Sequence, residues 1–218
     1  MIYLDNAATT KPSRAAAEAA ITAFEAFGNP SSLHRLGLEA EKLVKGAKKN
    51  AAELLGAPAE DIYFTSGGTE SNNTAIFGAV YAGRKKHVVT TKIEHPSVIE
   101  PMKRLAEKGY TVDFVGVDGE GRLNLDELAA KLCADTALVS VMHVNNETGT
   151  IQPLSEVRRL ISEKTDGALF HIDAVQSFGK IPIDLRGLKP DLLSASAHKI
   201  HGIKGTGLLY CKDRKSVV

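Results

Sequence analysis

The sequence predicts an α/β fold in which a mostly parallel sheet is sandwiched by helices. Short apolar runs typical of buried strands alternate along the chain with longer amphipathic stretches typical of helices. Polar or glycine-rich segments directly follow several of these apolar runs. The alternation implies crossover connections, which make the strands parallel and place helices on both faces of the sheet.

The chain begins with an irregular segment, and we expect residues 1–13 to belong to a separate small domain. Two predicted helices follow. Ser13 caps the first, over SRAAAEAAITAFEAF, and Gly28-Asn29-Pro30 ends it. A longer helical pattern covers about 34–55 and ends at Gly56.

The remaining elements alternate between strand and helix. IYFT at 62–65 predicts a short buried strand, and Thr69–Val80 predicts the next helix. Pro96 suits the first turn of a helix that runs towards Lys108. Further strands are predicted at 87–91, 111–115, 137–142, 168–172, 191–195 and 207–211. Further helices are predicted at about 124–132 and 154–164.

Composition narrows the classes of protein to consider. Hydrophobic residues make up 43% and charged residues 24%, which is the balance of an ordinary globular domain. The formal net charge of +1 gives no basic excess, so we expect no nucleic-acid or membrane partner. No apolar run approaches the roughly 18 residues of a membrane helix. The first residues show no basic n-region or apolar h-region, so we expect no secretory signal and a cytoplasmic protein.

The first motif of chemical interest is Thr65-Ser66-Gly67-Gly68-Thr69-Glu70, between a strand and a helix. Glycines expose backbone N–H groups, and a helix N-terminus favours an anion. Thr69 adds a hydroxyl donor, so the motif is typical of a phosphate site. An ordinary glycine turn with a capping threonine explains the motif equally well on its own.

The second motif, Glu94-His95-Pro96, follows the strand that ends at Thr91. A histidine at a strand end can stack on a planar cofactor or move protons near neutral pH. Taken alone, a capping or surface histidine is the simpler explanation.

The third motif begins at Asp173, which ends the apolar strand ALFHI. A buried carboxylate needs a partner, and the protonated nitrogen of a pyridine ring is one. That charge pair would make the ring an electron sink. Gln176 lies three residues on, within reach of the ring's phenolic oxygen. An aspartate that caps the next helix is an equal alternative.

The fourth motif is Ser194-Ala195-Ser196-Ala197-His198-Lys199, after another apolar run. Desolvation there would make the Lys199 amine nucleophilic, and Ser196 and His198 could donate to a phosphate. An exposed loop lysine is the alternative. The pattern Ser196-x-x-Lys199 also occurs in penicillin-recognising hydrolases, but their Ser-Asp-Asn and Lys-Thr-Gly partners are absent here. His198 and His201 lack further ligands nearby, so we predict no metal.

Together the motifs occur in the order that one cofactor, pyridoxal 5′-phosphate (PLP), requires. With them the sequence resembles the class V aminotransferase family, and most closely its cysteine desulfurases of the NifS/IscS type. Val144-Asn145-Asn146-Glu147 is similar to the NifS/IscS branch rather than the SufS branch. The matching segments are YLDNAATT (3–10), GNPSSLHRLG (28–37), FTSGGTESNN (64–73), TKIEHPSV (91–98), HVNNETG (143–149), HIDAVQSFGKIPID (171–184) and SASAHKIHGIKGTG (194–207).

The resemblance implies a PLP-dependent transferase-like large domain of fold type I and a role for each matched residue. Lys199 would hold PLP as a Schiff base, and His95 would stack on its ring and shuttle protons. Asp173 would pair with the ring nitrogen. Gln176 and Asn146 would contact the phenolic oxygen or its surroundings. The phosphate would be held by Gly68, Thr69, Ser196 and His198.

The resemblance also implies cysteine desulfurase activity. Lys199 would remove the Cα proton of L-cysteine, L-alanine would leave, and the sulfur would pass to an enzyme persulfide for iron–sulfur cluster assembly. The expected partners are a sulfur-acceptor or iron–sulfur scaffold protein and a second copy of the protein, since the family forms homodimers.

This chain would cover roughly the N-terminal half of such an enzyme. Residues 14–218 would form the PLP-binding large domain, without the C-terminal small domain. The catalytic cysteine would come from that other half, because Cys133 lies in a helical pattern and Cys211 ends a strand-like run. We expect both thiols to be packed within the structure.

Two other interpretations stay open at this point. The chain can be a fragment that binds PLP, or only a protein partner, without turnover. It can also be part of another class V aminotransferase-type PLP enzyme that needs no thiol.

Overall fold

Seven strands form one mixed sheet in the structure, a computed structural model that describes residues 2–213. Numbered along the chain, the strands lie in the spatial order β1-β7-β6-β5-β4-β2-β3. The neighbouring pairs β3–β2, β2–β4, β4–β5 and β5–β6 are parallel, which confirms the predicted sheet. The strands are β1 (Ile62–Thr65), β2 (His87–Thr91), β3 (Thr111–Val115), β4 (Thr136–Met142), β5 (Leu169–Asp173), β6 (Leu192–Ser196) and β7 (Gly207–Cys211).

Strand β7 lies antiparallel between β1 and β6, which the alternation of elements does not predict. Residues 197–206 connect β6 to β7 and are too few for a parallel crossover, which needs about a dozen residues or more. They form a 3-10 turn at Ala197–Lys199 followed by a loop. The chain therefore turns back beside β6, and Lys199 lies in the turn at its carboxyl end.

Helices cover both faces of the sheet, as predicted. Side chains of α3 and α4 pack with Val88 and Leu138 on one face. Those of α2, α5 and α6 pack with Val89 and Phe170 on the other, because successive side chains of a strand alternate between faces. The helices are α1 (Arg14–Glu25), α2 (Arg35–Leu55), α3 (Gly68–Tyr81), α4 (Pro96–Glu107), α5 (Leu125–Lys131), α6 (Leu154–Lys164) and α7 (Leu185–Leu188).

Local sequence sets the helix ends at the predicted positions. Ser13 Oγ accepts a hydrogen bond of 3.1 Å from the N–H of Ala16 and so caps α1. Gly56 ends α2 with a left-handed φ of 67°, which glycine adopts without steric cost. Pro96 is the first residue of α4, where its missing N–H leaves no hydrogen bond unmade. Within residues 2–213, no helix combines the length and apolar character that crossing a membrane requires.

Two sequence predictions are wrong about burial. Strand β1 lies at the edge of the sheet rather than within it, and its Phe64 is 43% exposed. Cys133 was expected to pack, but α5 ends at Lys131 and the thiol is exposed. The helical periodicity that predicted packing does not extend as far as Cys133. Cys211 is buried in β7, as predicted.

Candidate active site

The carboxyl ends of parallel strands bring the predicted site residues together. Open α/β sheets bind ligands at this edge. Strand β5 ends at Asp173, and β6 ends at Ser196, just before Lys199. His95 follows β2, and Asn146 follows β4. The loop after β1 opens α3 at the same edge, so five separate segments of the chain meet there.

One cavity of about 240 Å³ is lined by every residue that the sequence predicts to bind a cofactor. The predicted residues are Gly68, Thr69, His95, Asn146, Asp173, Gln176, Ser196, His198 and Lys199. Ala8, Ser97, Met142, Val144 and Val175 complete the wall. The structure therefore places the predicted residues side by side, and the role of each one remains a prediction.

Asp173 is a buried carboxyl, 4% exposed, in the wall of this cavity. Its Oδ1 accepts a 2.9 Å hydrogen bond from the N–H of Val175, and its Oδ2 accepts one of 2.7 Å from Asn72 Nδ2. Burial raises the pKa of Asp173, whereas these two donors and the nearby charges of His95 and Lys199 oppose the rise. A cation in the cavity would therefore find a carboxylate already held in place.

A chain of hydrogen bonds links Asp173 to His95. Asn72 Nδ2 also donates to Ser97 Oγ at 2.9 Å. Because Ser97 Oγ accepts that bond, its own hydrogen is available to His95 Nδ1, 2.8 Å away. The Ser97 N–H also donates to His95 Nδ1, at 3.1 Å. Nδ1 is thus the acceptor, and the ring proton of neutral His95 lies on Nε2.

Glu94 is a second buried carboxyl, next to His95 in the chain. Its Oε1 accepts hydrogen bonds from Thr91 Oγ1 at 2.7 Å and from the N–H of Met142 at 2.9 Å. Its Oε2 has no hydrogen-bond partner among the described residues. Burial raises the pKa of Glu94 to about 8, and the charge of Asp173 adds to the rise. Glu94 is therefore mostly protonated at neutral pH, and it adds little negative charge beside Asp173.

Lys199 is half-buried, and its Nζ donates hydrogen bonds to the carbonyl oxygens of Ala7 and Ala8. Burial lowers the pKa of Lys199, and the charge of Lys180 lowers it further against the opposing charges of Asp5 and Asp173. A lowered pKa increases the fraction of neutral amine, which is the form that reacts as a nucleophile or accepts a proton.

Hydrogen bonds join the N-terminal segment to the loop that carries Lys199. The N–H and the Oγ1 of Thr10 both donate to the carbonyl of His198, at 2.8 and 2.9 Å. The N–H of His201 donates to Thr10 Oγ1 at 2.7 Å. Gln176 Nε2 donates to the carbonyl of Ala7 at 2.9 Å. The assignment of residues 1–13 to a small domain stays a prediction, although part of the segment contacts the large domain directly.

The glycine loop before α3 is tightly packed and opens the helix at the edge of the cavity. Gly67 has φ 156° and ψ −178°, a conformation that is accessible almost only to glycine. A Cβ on Gly68 would lie 2.6 Å from Val175 Cγ2, so a larger residue would displace the cavity wall. The first N–H groups of a helix have no acceptor within it and can bind an anion. Burial, with the charges of Lys199 and Lys204, lowers the pKa of His198, which favours its neutral form.

A comparison with known protein families matches residues 2–217 to the family described as aminotransferase class V. The chain belongs to the class V aminotransferases. The resemblance that the motifs predict is thereby confirmed over nearly the whole sequence.

Curated relatives within this family are cysteine desulfurases. A cysteine desulfurase of Trichormus azollae is 47% identical over 214 residues, which is 97% of this chain and 53% of the relative. The cysteine desulfurase IscS of Dictyoglomus turgidum is 45% identical over 215 residues, or 97% of this chain and 54% of the relative. The chain thus spans about half the length of the curated relatives it matches.

Solved structures of the family have the same fold. A NifS-like protein superposes with a TM-score of 0.95 and 42% identity, covering 99% of this chain and 60% of that one. A structure described as SspA in complex with cysteine gives a TM-score of 0.94 and 34% identity, covering 100% of this chain and 64% of that one.

Class V aminotransferases and cysteine desulfurases depend on PLP, and the residues of this cavity fit that cofactor. Asp173 can accept a hydrogen bond from a protonated ring nitrogen, and Lys199 offers an amine to the aldehyde. The helix N-terminus at Gly68 and the donors on Ser196 and His198 suit a phosphate group. All of these groups line the same cavity, which is the observation on which the fit rests.

Sequence reasoning missed Asn72 and Ser97, and it named Glu94 in a motif without giving it a role. Asn72, Ser97 and Glu94 are buried polar side chains whose partners lie in other segments of the chain. Asn72 and Asp173, for example, are 101 residues apart. Each missed residue lies within one of the segments that resemble the family or beside a residue that was identified. That proximity was the available signal, but the hydrogen bonds themselves depend on the folded arrangement.

Proposed function

We propose that this chain forms the cofactor-binding part of a PLP-dependent cysteine desulfurase, which converts L-cysteine to L-alanine and passes the sulfur to an enzyme persulfide. The observation that carries the proposal is the single cavity in which Lys199, Asp173 and His95 meet beside the glycine loop of α3. The desulfurase relatives, which share 45–47% identity with the chain, support this substrate over other amino acids.

PLP, when bound, supplies a ring that accepts electrons and stabilises negative charge at the substrate Cα. Asp173 sustains that property from the protein side. Its two oxygens each accept one hydrogen bond from the protein, and their remaining lone pairs can hold a proton on the ring nitrogen. The buried position excludes water, which strengthens this charge pair relative to one at the surface.

Lys199 moves the proton that starts the reaction. Its charge acts on Asp173, and its lowered pKa increases the fraction of neutral amine. A neutral Nζ can accept the Cα proton of the amino acid and later return a proton to the alanine product. The carbonyl oxygens of Ala7 and Ala8, which accept hydrogen bonds from Nζ, hold the amine in a defined direction.

His95 provides a hydrogen-bond donor beside the substrate. Because Ser97 donates to Nδ1, the other ring nitrogen, Nε2, carries the proton of the neutral ring. His95 lines the cavity, so the N–H at Nε2 can donate a hydrogen bond to a substrate sulfur. The hydrogen bonds from Ser97 keep this tautomer in place.

The substrate, the acceptor and the assembly state belong to the same proposal. A structural relative described as in complex with cysteine supports L-cysteine as the ligand. The IscS name of another relative supports delivery of sulfur to an acceptor or scaffold protein for iron–sulfur assembly. Large exposed apolar side chains on and after α1, such as Phe24 at 82% and Leu33 at 91%, support a homodimer or another covering protein surface. The cytoplasmic location stays a prediction.

The test is an activity assay of the protein purified from the cells that naturally produce it, with PLP and L-cysteine added. We expect equimolar alanine and sulfide in the presence of a reductant, because the reductant releases the persulfide sulfur. Lys199→Ala should abolish both products and the visible absorbance of bound PLP. Lys42→Ala, at an exposed lysine of α2, is the matched control and should change neither.

Other outcomes would favour the other interpretations. PLP bound at Lys199 without any alanine would indicate a binding fragment. Release of a keto acid instead of sulfide would indicate a different class V aminotransferase-type reaction. PLP trapped by borohydride at another residue would contradict the assignment of Lys199.

A further inference from the structure

A second group of reactive side chains lies at the opposite edge of the sheet from the cavity. Cys133 precedes β4, His87 begins β2, and Asp113 lies in β3. Strand β4 has seven residues between this group and the cavity, a separation of roughly 20 Å at about 3.3 Å per residue. Cys133 therefore cannot reach a ligand beside Lys199, and its chemistry must be separate.

The three side chains are arranged as a thiol, an imidazole and a carboxylate in sequence. Cys133 Sγ lies 3.4 Å from His87 Nδ1, and His87 Nε2 lies 3.1 Å from Asp113 Oδ2. His87 is 6% exposed, whereas Cys133 is an exposed residue. The buried His87 imidazole thus contacts the thiol of an exposed cysteine, and a base in contact with a thiol can activate it.

The hydrogen bonds define which nitrogen of His87 can act as the base. A carboxylate only accepts, so Nε2 carries a proton and donates it to Asp113. Nδ1 then has a lone pair that faces two donors, the Cys133 thiol at 3.4 Å and Thr136 Oγ1 at 2.9 Å. The Thr136 hydroxyl can rotate. It can donate to the neutral ring, or accept from Nδ1–H once the ring has taken the thiol proton.

The backbone holds the thiol in this position. The N–H of Cys133 donates to Thr136 Oγ1 at 3.1 Å, and the N–H of Thr136 donates to the Cys133 carbonyl at 3.0 Å. Thr136 is fully buried in β4, so the turn is anchored to the sheet. These bonds fix the backbone of Cys133 beside His87, and the thiol lies within contact distance of the imidazole.

We propose that Cys133 is a nucleophilic thiol, activated by His87 and oriented through Asp113, that undergoes exchange with low-molecular-weight disulfides. His87 Nδ1 takes the thiol proton, and the Cys133 sulfur attacks one sulfur of the disulfide. The disulfide bond breaks as the new one forms, and the leaving thiolate takes the proton back from His87. The products are a mixed disulfide at Cys133 and one free small thiol, so the disulfide is the oxidant.

Thiol exchange fits this site better than acyl transfer does. An acyl transfer needs backbone donors for the oxyanion that develops beside the nucleophile. Here the N–H of Cys133 is already bonded to Thr136 Oγ1. Exchange between a thiolate and a disulfide forms no oxyanion and needs only an accessible sulfur and a base.

Charged groups of both signs surround the cluster. Lys131 Nζ lies 3.3 Å from Asp113 Oδ1 and also pairs with Glu127 at 3.3 Å. Lys85 Nζ donates to the carbonyl of Thr136 at 3.4 Å from the segment before β2. Asp135 accepts from the backbone N–H of Lys86 at 3.4 Å. These are the charged groups that face the cluster from β3, α5 and the segments before β2 and β4.

The test measures modification of Cys133 by oxidised glutathione and by an aromatic disulfide reagent. The sequence contains two cysteines, so Cys211→Ala leaves one thiol to follow by mass and by absorbance. In that background we expect one glutathionyl group on Cys133, removed again by a reductant. His87→Gln should slow the reaction at about pH 7 by tenfold or more, since it removes the base. His34→Gln, at an exposed histidine, is the matched control.

The pH dependence separates base catalysis from a merely structural effect. At about pH 10, hydroxide deprotonates every accessible thiol. The rates of modification of His87→Gln and the parent should therefore be equal at about pH 10. Asp113→Asn should slow the exchange less at about pH 7, and its rate should also equal that of the parent at about pH 10. This variant replaces His87→Gln in the test if His87→Gln fails to fold. Equal rates in all variants at about pH 7, or a deficit that persists at about pH 10, would overturn the proposal.

Discussion

Asn72 shows how much of this site depends on a single side chain. Its Nδ2 group donates one hydrogen to Asp173 Oδ2 and the other to Ser97 Oγ. The first bond favours the charged form of the buried carboxyl, against the burial that raises its pKa. The second leaves the Ser97 hydroxyl free to donate to His95 Nδ1. One amide therefore supports the charge of one cavity residue and the tautomer of another.

We predict that Asn72→Leu weakens PLP binding while preserving the fold. Leucine has a similar volume but no donor, so Asp173 loses one of its two hydrogen bonds from the protein. Hydrogen bonds to charged groups contribute about 1.5–3 kcal/mol, so affinity should fall by roughly tenfold to a hundredfold. Titration of the apoprotein with PLP, followed by visible absorbance, measures the change.

The control for this prediction is Asn50→Ala, at an exposed asparagine on α2. It should bind PLP as the parent does. Circular dichroism and the unfolding midpoint show whether each variant is folded. An Asn72→Leu protein that is folded and binds PLP with unchanged affinity would exclude the proposed support of Asp173.

Strand β5 carries two polar side chains on one face, one that lines the cavity and one that is enclosed by the sheet. His171 and Asp173 are two residues apart, so their side chains point to the same side of the sheet. Asp173 reaches the cavity at the strand end. His171 stays inside the sheet, where its Nδ1 lies 2.8 Å from Ser140 Oγ and its Nε2 lies 2.9 Å from Ser194 Oγ. The imidazole thus bridges β4, β5 and β6.

We predict that His171 makes the fold sensitive to acid. Burial lowers the pKa of His171 to about 3 from the usual 6.5. The unfolded chain therefore binds a proton at this residue below about pH 6.5, while the folded chain does not until about pH 3. Its contribution to stability is complete above pH 6.5 and is lost as the pH falls, by up to about 1.4 kcal/mol per pH unit.

The comparison of urea unfolding for the parent and His171→Gln isolates this effect. Glu94, with its raised pKa, changes stability in the opposite direction over part of the same range, but equally in both proteins. The parent should lose stability relative to His171→Gln between about pH 6.5 and pH 5. Parallel curves for the parent and His171→Gln would contradict the prediction.

At the scale of elements, the sequence predicts features that depend on neighbouring residues, such as the ends of helices. The cap at Ser13, the left-handed Gly56 and the first-turn Pro96 mark helix ends because each acts within one turn of its own helix. The antiparallel direction of β7 depends on how a short loop folds back, and the exposure of Phe64 depends on which strand lies at the edge. Neither is a property of a single segment.

At the scale of the whole molecule, the residues that line the cavity could be predicted from the sequence. The hydrogen bonds and contacts that link them to distant segments could not. Each motif follows a strand, and strand ends meet at one edge, so Asp173 and Lys199 were expected to be neighbours. The bonds from Asn72 and the exposure of Cys133 beside His87 require the packing of segments distant in sequence. Periodicity and composition carry no information about such pairs.

The longest connection in sequence joins the N-terminal segment to the loop of Lys199. Thr10 is 2% exposed, and its Oγ1 donates to the His198 carbonyl at 2.9 Å and accepts from the His201 N–H at 2.7 Å. These bonds hold the residues on both sides of Lys199. The N-terminal segment is thus part of the support of the cavity, whatever domain it belongs to in a longer chain.

We predict that Thr10→Val loosens this support. Valine has the shape of threonine without the hydroxyl, so the His201 N–H loses its acceptor at a cost of about 1–3 kcal/mol. Bound PLP should dissociate faster, and proteolysis within residues 200–206 should accelerate, while the sheet stays folded. Thr22→Val is the matched control, since Thr22 on α1 is exposed and its Oγ1 donates only within the helix, to the carbonyl of Glu18. Equal PLP retention and equal proteolysis in the two variants would show that Thr10 does not position the lysine loop.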